Sequence, residues 1–187
     1  ELTLLVTVSY PPDTGFQKAI PPIEQLPGIE DGGFFSAEDV MARRARLGKR
    51  VLILDEGGNW KGCGTALKMA EEGHQVVLIT PDPLVGKELQ RTAADYPLRQ
   101  KLAQLGVRFI LESAITRWTP QGAEILSFLD GSTSFVEADS IVFATPNLAE
   151  DTLARELEDS GLKFLNIGDS AGPRQAPFVI SEARRVA

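Results

Sequence analysis

A single cysteine, Cys63, and a single histidine, His74, occur in the 187 residues. One cysteine excludes an internal disulfide, a redox dithiol and any cysteine-built metal cage. It fits a reducing compartment, and a cytoplasmic location is expected. No run of lysine and arginine stands out and the formal net charge is −7, so nucleic acid is not an expected partner. No apolar stretch approaches the roughly 20 residues of a membrane-spanning helix, so no membrane partner is expected. The first residues lack the positive region and small-residue end of a secretory leader. Instead Glu1 leads directly into a β-rich run over residues 2–9, the pattern expected of a piece of a longer polypeptide. No nucleophile–base pair, proton relay, internal repeat or low-complexity tract is visible, and no catalytic residue is assigned.

What is present is an ordinary globular composition, 43% hydrophobic and 24% charged, organised around residues 50–73, RVLILDEGGNWKGCGTALKMAEEG. Val51, Leu52, Ile53 and Leu54 form a continuous apolar run, as a central parallel strand covered on both faces requires. Asp55 to Lys61 is turn material with Gly57 and Gly58, and a helical pattern starts at Gly62. Gly73 stands where a helix C-terminal glycine belongs, and residues 74–80 supply the next strand. This is a βαβ unit whose first turn is where a dinucleotide pyrophosphate would sit.

Before it, Pro11, Pro12, Pro21, Pro22 and Pro27 mark residues 10–28 as an extended connector. Ser36 with Asp39 signals the start of a helix expected to reach about Leu47. After it come a partly helical stretch over 86–104, a strand at 107–111, and three β segments at 115–118, 123–129 and 133–138 joined by turn signals. Residues 140–144 (SIVFA) return to the sheet; a helix (150–160), a strand (162–167), a Gly168-Asp169 turn and a last helix (177–186) follow. The expected fold class is α/β: a Rossmann-like parallel sheet with an inserted antiparallel β-meander. The expected domains are an outer segment with connector (1–47), a nested Rossmann-like domain (48–145) and a return segment (146–187).

The succession PGIED, GKRVLILD, meander, SIVFATPN and GLKFLNIGDSAGP resembles the C-terminal region of the old yellow enzyme-related FMN/iron–sulfur flavoproteins. These are the 2,4-dienoyl-CoA reductase, trimethylamine dehydrogenase and N-methylproline demethylase relatives. The resemblance covers nearly the whole chain. It implies an NAD(P)-type domain nested in part of an FAD/ADP-type domain, an oxidoreductase parent, and a preceding barrel that carries FMN and a 4Fe-4S cluster. The partner it implies is the rest of the same polypeptide, the FMN barrel and the outer FAD-type domain, and it leaves room for a homo-oligomer. On this resemblance Gly168, Asp169 and Ser170 would meet FAD or ADP, Asp169 at the ribityl or pyrophosphate end. Asp169 equally suits a helix N-cap.

The NAD(P)-type turn departs from G-x-G-x-x-G. Gly62 takes the third glycine's place, Gly57 and Gly58 fall near the second, Asp55 stands in the first, and the loop is about two residues longer than the motif's usual one. A carboxylate at that place opposes a pyrophosphate in a site of reduced dielectric, and Lys61 at the helix start offers an offset. Gly57, Gly58, Lys61 and Gly62 are therefore the candidate cofactor-binding residues. Asp82, Lys87 and Arg91 lie near the second strand's end without matching an NAD or NADP ribose signature. Pro146 replaces the glycine expected after the ATG-like Ala144-Thr145. Two functions follow: a region that passes electrons or binds a nucleotide structurally, or a Rossmann scaffold and interdomain interface with nothing in its own groove. Trp60 reads as a plug of that groove, Trp118 as packing, and Cys63 as small-residue packing beside Gly62 and Gly64.

Overall fold

The computed structural model describes residues 3–5, 9–20, 25–174 and 176–186. The expected strand residues 2 and 6–8 and the prolines Pro21 and Pro22 lie outside the described residues. In chain order the elements are β1 (Thr3–Leu5), β2 (Ser9–Tyr10), β3 (Phe34–Ser36), α1 (Ala37–Met41), β4 (Arg50–Asp55), α2 (Trp60–Glu71), β5 (Gln75–Ile79), α3 (Asp95–Gln104), β6 (Arg108–Ile110), β7 (Ser113–Thr119), β8 (Gly122–Ser127), β9 (Thr133–Glu137), β10 (Ser140–Ala144), β11 (Leu148–Ala149), α4 (Thr152–Asp159), β12 (Phe164–Asn166) and α5 (Ala176–Val186). Short 3-10 turns occupy Ile29–Asp31, Lys87–Thr92 and Gly168–Ser170. The chain forms two units, residues 13–145 and residues 1–12 with 146–187.

In the larger unit five parallel strands lie in the order β3-β10-β4-β5-β6. The continuous apolar runs of β4 and β10 follow from cover on both faces. Val51, Ile53, Val142 and Ala144 pack on the helical side with Ala66 and Met69 of α2 and Leu98 and Leu102 of α3. Leu52, Leu54, Ile141 and Phe143 face the opposite way, against Ile115, Trp118, Ile125 and Val136 of the antiparallel β7-β8-β9 meander. The period-2 alternation of strand side chains thus splits one apolar run between two cores. The fold is the α/β, Rossmann-like sheet with inserted meander that the sequence predicts.

Residues 13–47, grouped by sequence with the outer segment, pack with the larger unit. Their anchor is Trp118, whose backbone N–H donates to Pro27 O at 2.9 Å and whose indole Nε1–H donates to Gly32 O at 2.7 Å. Gly28 adopts φ 86°, and a β-carbon there would stand 1.9 Å from the Trp118 carbonyl oxygen, so this turn accepts only glycine. β3 then pairs with β10, and the Ser36–Asp39 capping box starts α1 as predicted. The helix ends at Met41 rather than near Leu47: Arg43 takes φ 59°, and the Arg44 amide turns back to Asp39 O at 2.8 Å.

In the smaller unit β1 pairs in parallel with β12, and β2 antiparallel with β11. Leu5, Ala154 and Ile167 are buried there, while Leu162 and Phe178 are exposed. Among the described residues no helix is long and apolar enough to cross a membrane.

Candidate functional site

β4 delivers Asp55, fully buried, to the carboxyl end of the sheet. There the strand gives way to the loop 56–59, and Asn59 caps α2 by accepting the Lys61 N–H at 2.8 Å. The helix therefore begins at Trp60, two residues before the predicted start, and Gly62 lies inside its first turn. The Asp55 carboxylate turns into this first helical turn. Its Oδ1 accepts the Gly58 N–H at 2.9 Å and the Gly57 N–H at 3.1 Å, and its Oδ2 accepts the Cys63 thiol at 3.4 Å. A side chain at residue 62 would collide with it, since a β-carbon there would lie 2.3 Å from Asp55 Cγ. Gly62 makes room for the aspartate.

Burial pushes the Asp55 carboxyl up to about 6, and the three hydrogen bonds work against that rise. Cys63 moves in the same direction: burial first, then the neighbouring Asp55 charge, raise its thiol far above the ordinary range.

The rest of the loop is tied to the protein's own groups. Gly58, at φ 58°, lies 3.3 Å from Lys87 Cβ by its missing β-carbon, and its carbonyl accepts the Glu88 N–H at 2.9 Å. Lys87 Nζ pairs with Asp82 at 2.8 Å. Glu56, 5% exposed, accepts the N–H groups of Lys18 (2.9 Å) and Ala19 (3.1 Å) from the connector; burial raises its carboxyl as well. Gln17, 2% exposed, imitates a strand neighbour: Nε2 donates to Ile115 O at 2.6 Å and Oε1 accepts Ile115 N–H at 3.0 Å. Lys61 is directed elsewhere, to Glu38 Oε1 and Thr145 O, each at 2.8 Å. Trp60 is 56% exposed and lines a notch with Ala37 and Met41 of α1, so it does not plug the groove.

Gly57, Gly58 and Gly62 are thus brought together around Asp55, and Lys61 is not. Glu56 and Gln17 are the residues that sequence reasoning missed. An acidic pair, Asp55-Glu56, closing a buried apolar run was a signal for the first; nothing local marks the second.

In the smaller unit Gly168, Asp169 and Ser170 form one 3-10 turn. Asp169 Oδ2 accepts the Ser9 hydroxyl at 2.7 Å, and Asn147 Nδ2 donates to that hydroxyl at 3.2 Å. The Gly168 N–H donates to Glu182 at 3.0 Å, a bond that leads the causes holding the Glu182 carboxyl below its usual range. The Ser170 hydroxyl faces inward, 2.6 Å from Asn166 Oδ1. Asp169 retains acceptor capacity for a ligand hydroxyl, since a carboxylate takes several hydrogen bonds, whereas Ser170 is buried. Among the described residues no cluster of three or more His, Cys, Asp or Glu side chains is placed to hold a metal ion.

Comparison with models of known protein families gives no match. Among curated proteins, the cinnamate reductase of Clostridium sporogenes is 31% identical over 157 residues, covering 82% of this chain and 23% of that protein. The NADH oxidase of Thermoanaerobacter brockii is 25% identical over 154 residues, again 82% of this chain and 23% of the relative. Among solved structures, the 6-hydroxypseudooxynicotine amine oxidase of Pseudomonas geniculata N1 superposes with a TM-score of 0.83 at 23% identity, over 94% of this chain and 27% of that one; this is a likeness of fold. The chain is similar to a region of flavin-dependent oxidoreductases and spans 23% of the length of these two curated relatives.

Proposed function

We propose that this chain is the nucleotide-binding-fold region of a multidomain flavin oxidoreductase, and that its larger unit acts there as a scaffold with no dinucleotide in its own groove. The parent chemistry would belong to a part carrying FMN and an iron–sulfur cluster, acting on an enoyl or amine substrate as the names cinnamate reductase and dimethylamine dehydrogenase suggest. The observation that carries the scaffold reading is the capture of the Gly57 and Gly58 amides by the Asp55 carboxylate. A dinucleotide turn works by aiming such amides at phosphate. Here they are satisfied from within by an acidic group, and a phosphate approaching that loop meets Asp55, Glu56 and Asp82 instead of free donors.

In the smaller unit Asp169 supports a contact to a hydroxyl of FAD or ADP, while Gly168 and Ser170 are already engaged.

The test is titration of the chain with NADH and NADPH to millimolar concentration, followed by melting temperature and amide spectra. A ligand that binds only the folded chain must raise the melting temperature. Unchanged melting and unchanged resonances for residues 55–62 are expected. A saturable shift at those residues overturns the scaffold reading. FAD and ADP titrations with Asp169→Asn address the smaller unit separately.

A further inference from the structure

A groove of about 580 Å³ lies at the opposite end of the larger unit's sheet, against the amino ends of the strands. Arg50, Gln75 and Arg108 are the first residues of β4, β5 and β6. The parallel pairing places all three on the edge away from Asp55. The floor is apolar, with Val51, Val76 and Val136 buried beneath it. One wall is Phe135, which is 50% exposed on β9, where Thr133, Ser134 and Glu137 are the other exposed positions. A volume of this order is ordinary for a small-molecule site, and the exposed lining is polar, with Arg50, His74, Gln75, Arg108 and Glu137 around the valine floor.

The unengaged guanidinium donors select the ligand. Arg50 is already matched: it donates to Asp139 through Nε and Nη2 and to Glu137 through Nη1. Arg108 is exposed and has no hydrogen-bond or ion-pair partner among the described residues. Its guanidinium donors are therefore open to a ligand in a groove that Phe135 also lines, although Arg50 and Arg108 together are balanced in charge by Asp139 and Glu137. A guanidinium fork pairs with carboxylate or phosphate in two parallel hydrogen bonds, and an exposed phenyl ring stacks with another ring.

We propose that this groove binds a small anion carrying an aromatic ring, the oxyanion on Arg108 and the ring against Phe135. An aryl carboxylate and a nucleoside monophosphate share that chemistry. The site is separate from the β4–α2 turn and does not depend on the reading of that turn.

Isothermal titration of the 187-residue chain with benzoate and with adenosine 5′-monophosphate separates the two sources, with benzyl alcohol and inorganic phosphate as the partial ligands. Saturable binding of at least one of the two anions is expected, with Kd of about 1 mM or tighter. Arg108→Gln should weaken it about tenfold and Phe135→Ser about fivefold. Arg91→Gln, at a distant exposed position, should leave it unchanged. Both test positions are exposed, and an unaltered melting temperature confirms folding. Absence of saturable binding to both anions overturns the proposal, as does unaltered affinity in Arg108→Gln. Benzyl alcohol binding as tightly as benzoate removes the charge from it; phosphate binding as tightly as the nucleotide removes the ring, and either result overturns it. Nucleotide binding indifferent to both substitutions, with shifts at residues 55–62, would count against the scaffold reading instead.

Discussion

Asp55 lies so close beneath Gly62 that a β-carbon on the glycine would stand 2.3 Å from the aspartate Cγ and 2.5 Å from Oδ1. The strand end and the first turn of α2 are therefore one steric unit. Gly62→Ala is expected to destabilise the chain by about 1–3 kcal/mol, the usual cost of overpacking a tight site. Made in an Asp55→Gly background, the same change should be neutral or stabilising, because alanine is favoured over glycine in a helix by about 1 kcal/mol. Urea unfolding of the four-member cycle measures the coupling. Equal effects in both backgrounds would show that the clash lies with something other than Asp55.

Asp55 also imposes a pH dependence of definite sign. Its carboxyl sits at about 6 in the folded chain and near 3.9 when unfolded. Between those values the folded state holds more protons, so this group's contribution falls as pH rises through the window. Above pH 6 the full penalty is present, about 3 kcal/mol. Asp55→Asn keeps an oxygen for the Gly57 and Gly58 amides and removes the titration. The difference in unfolding free energy between Asp55→Asn and the parent should grow in favour of the variant from about pH 4 to 6 and then stay level. Glu56, also raised by burial, is common to both proteins and drops out of the difference. A difference that is flat from pH 4 to 7 would refute the buried-carboxylate account.

Cys63 is fully buried, and both burial and the Asp55 charge disfavour its thiolate. Native chain at pH 8 should resist iodoacetamide and disulfide-exchange reagents, with modification following global unfolding. Labelling at the rate of a free thiol under native conditions would contradict this placement.

Gln17→Ala removes both side-chain partners of Ile115, leaving its buried N–H and C=O without the Gln17 hydrogen bonds. A loss of about 2–3 kcal/mol is expected, with hydrogen exchange at the Ile115 amide accelerated beyond the global change. Gln121→Ala, at an exposed turn, should stay within about 0.5 kcal/mol.

The strands were readable wherever one element alone determined them. β4 and β10 show as unbroken apolar runs because both faces are covered, and α1's start shows because a capping box is a local device. The sequence pattern sets α2's start two residues late: glycines at 57, 58, 62 and 64 depress helix propensity and outweigh the local signal of the Asn59 cap, while the Asp55 carboxylate that packs into the first turn acts only through folded geometry. The engagement of the loop amides was hidden for the same reason. Asp55 was visible as a departure from a glycine motif, but not the direction its side chain takes. Gln17 and Ile115 are 98 positions apart, and no period or motif joins them.

The strand order has a consequence for how the sheet is assembled. β10 lies between β3 and β4, yet it is synthesised after the whole meander. Until residues 140–144 arrive, Phe34–Ser36 have no hydrogen-bonding neighbour and one side of β4 remains an open edge. Closure across about a hundred residues is entropically late, and such non-local pairing slows folding. Chains shortened before residue 140 should retain β4, α2 and β5 as a local nucleus while exposing an unpaired strand edge with the apolar run of residues 51–54 at its centre, a template for association with other chains.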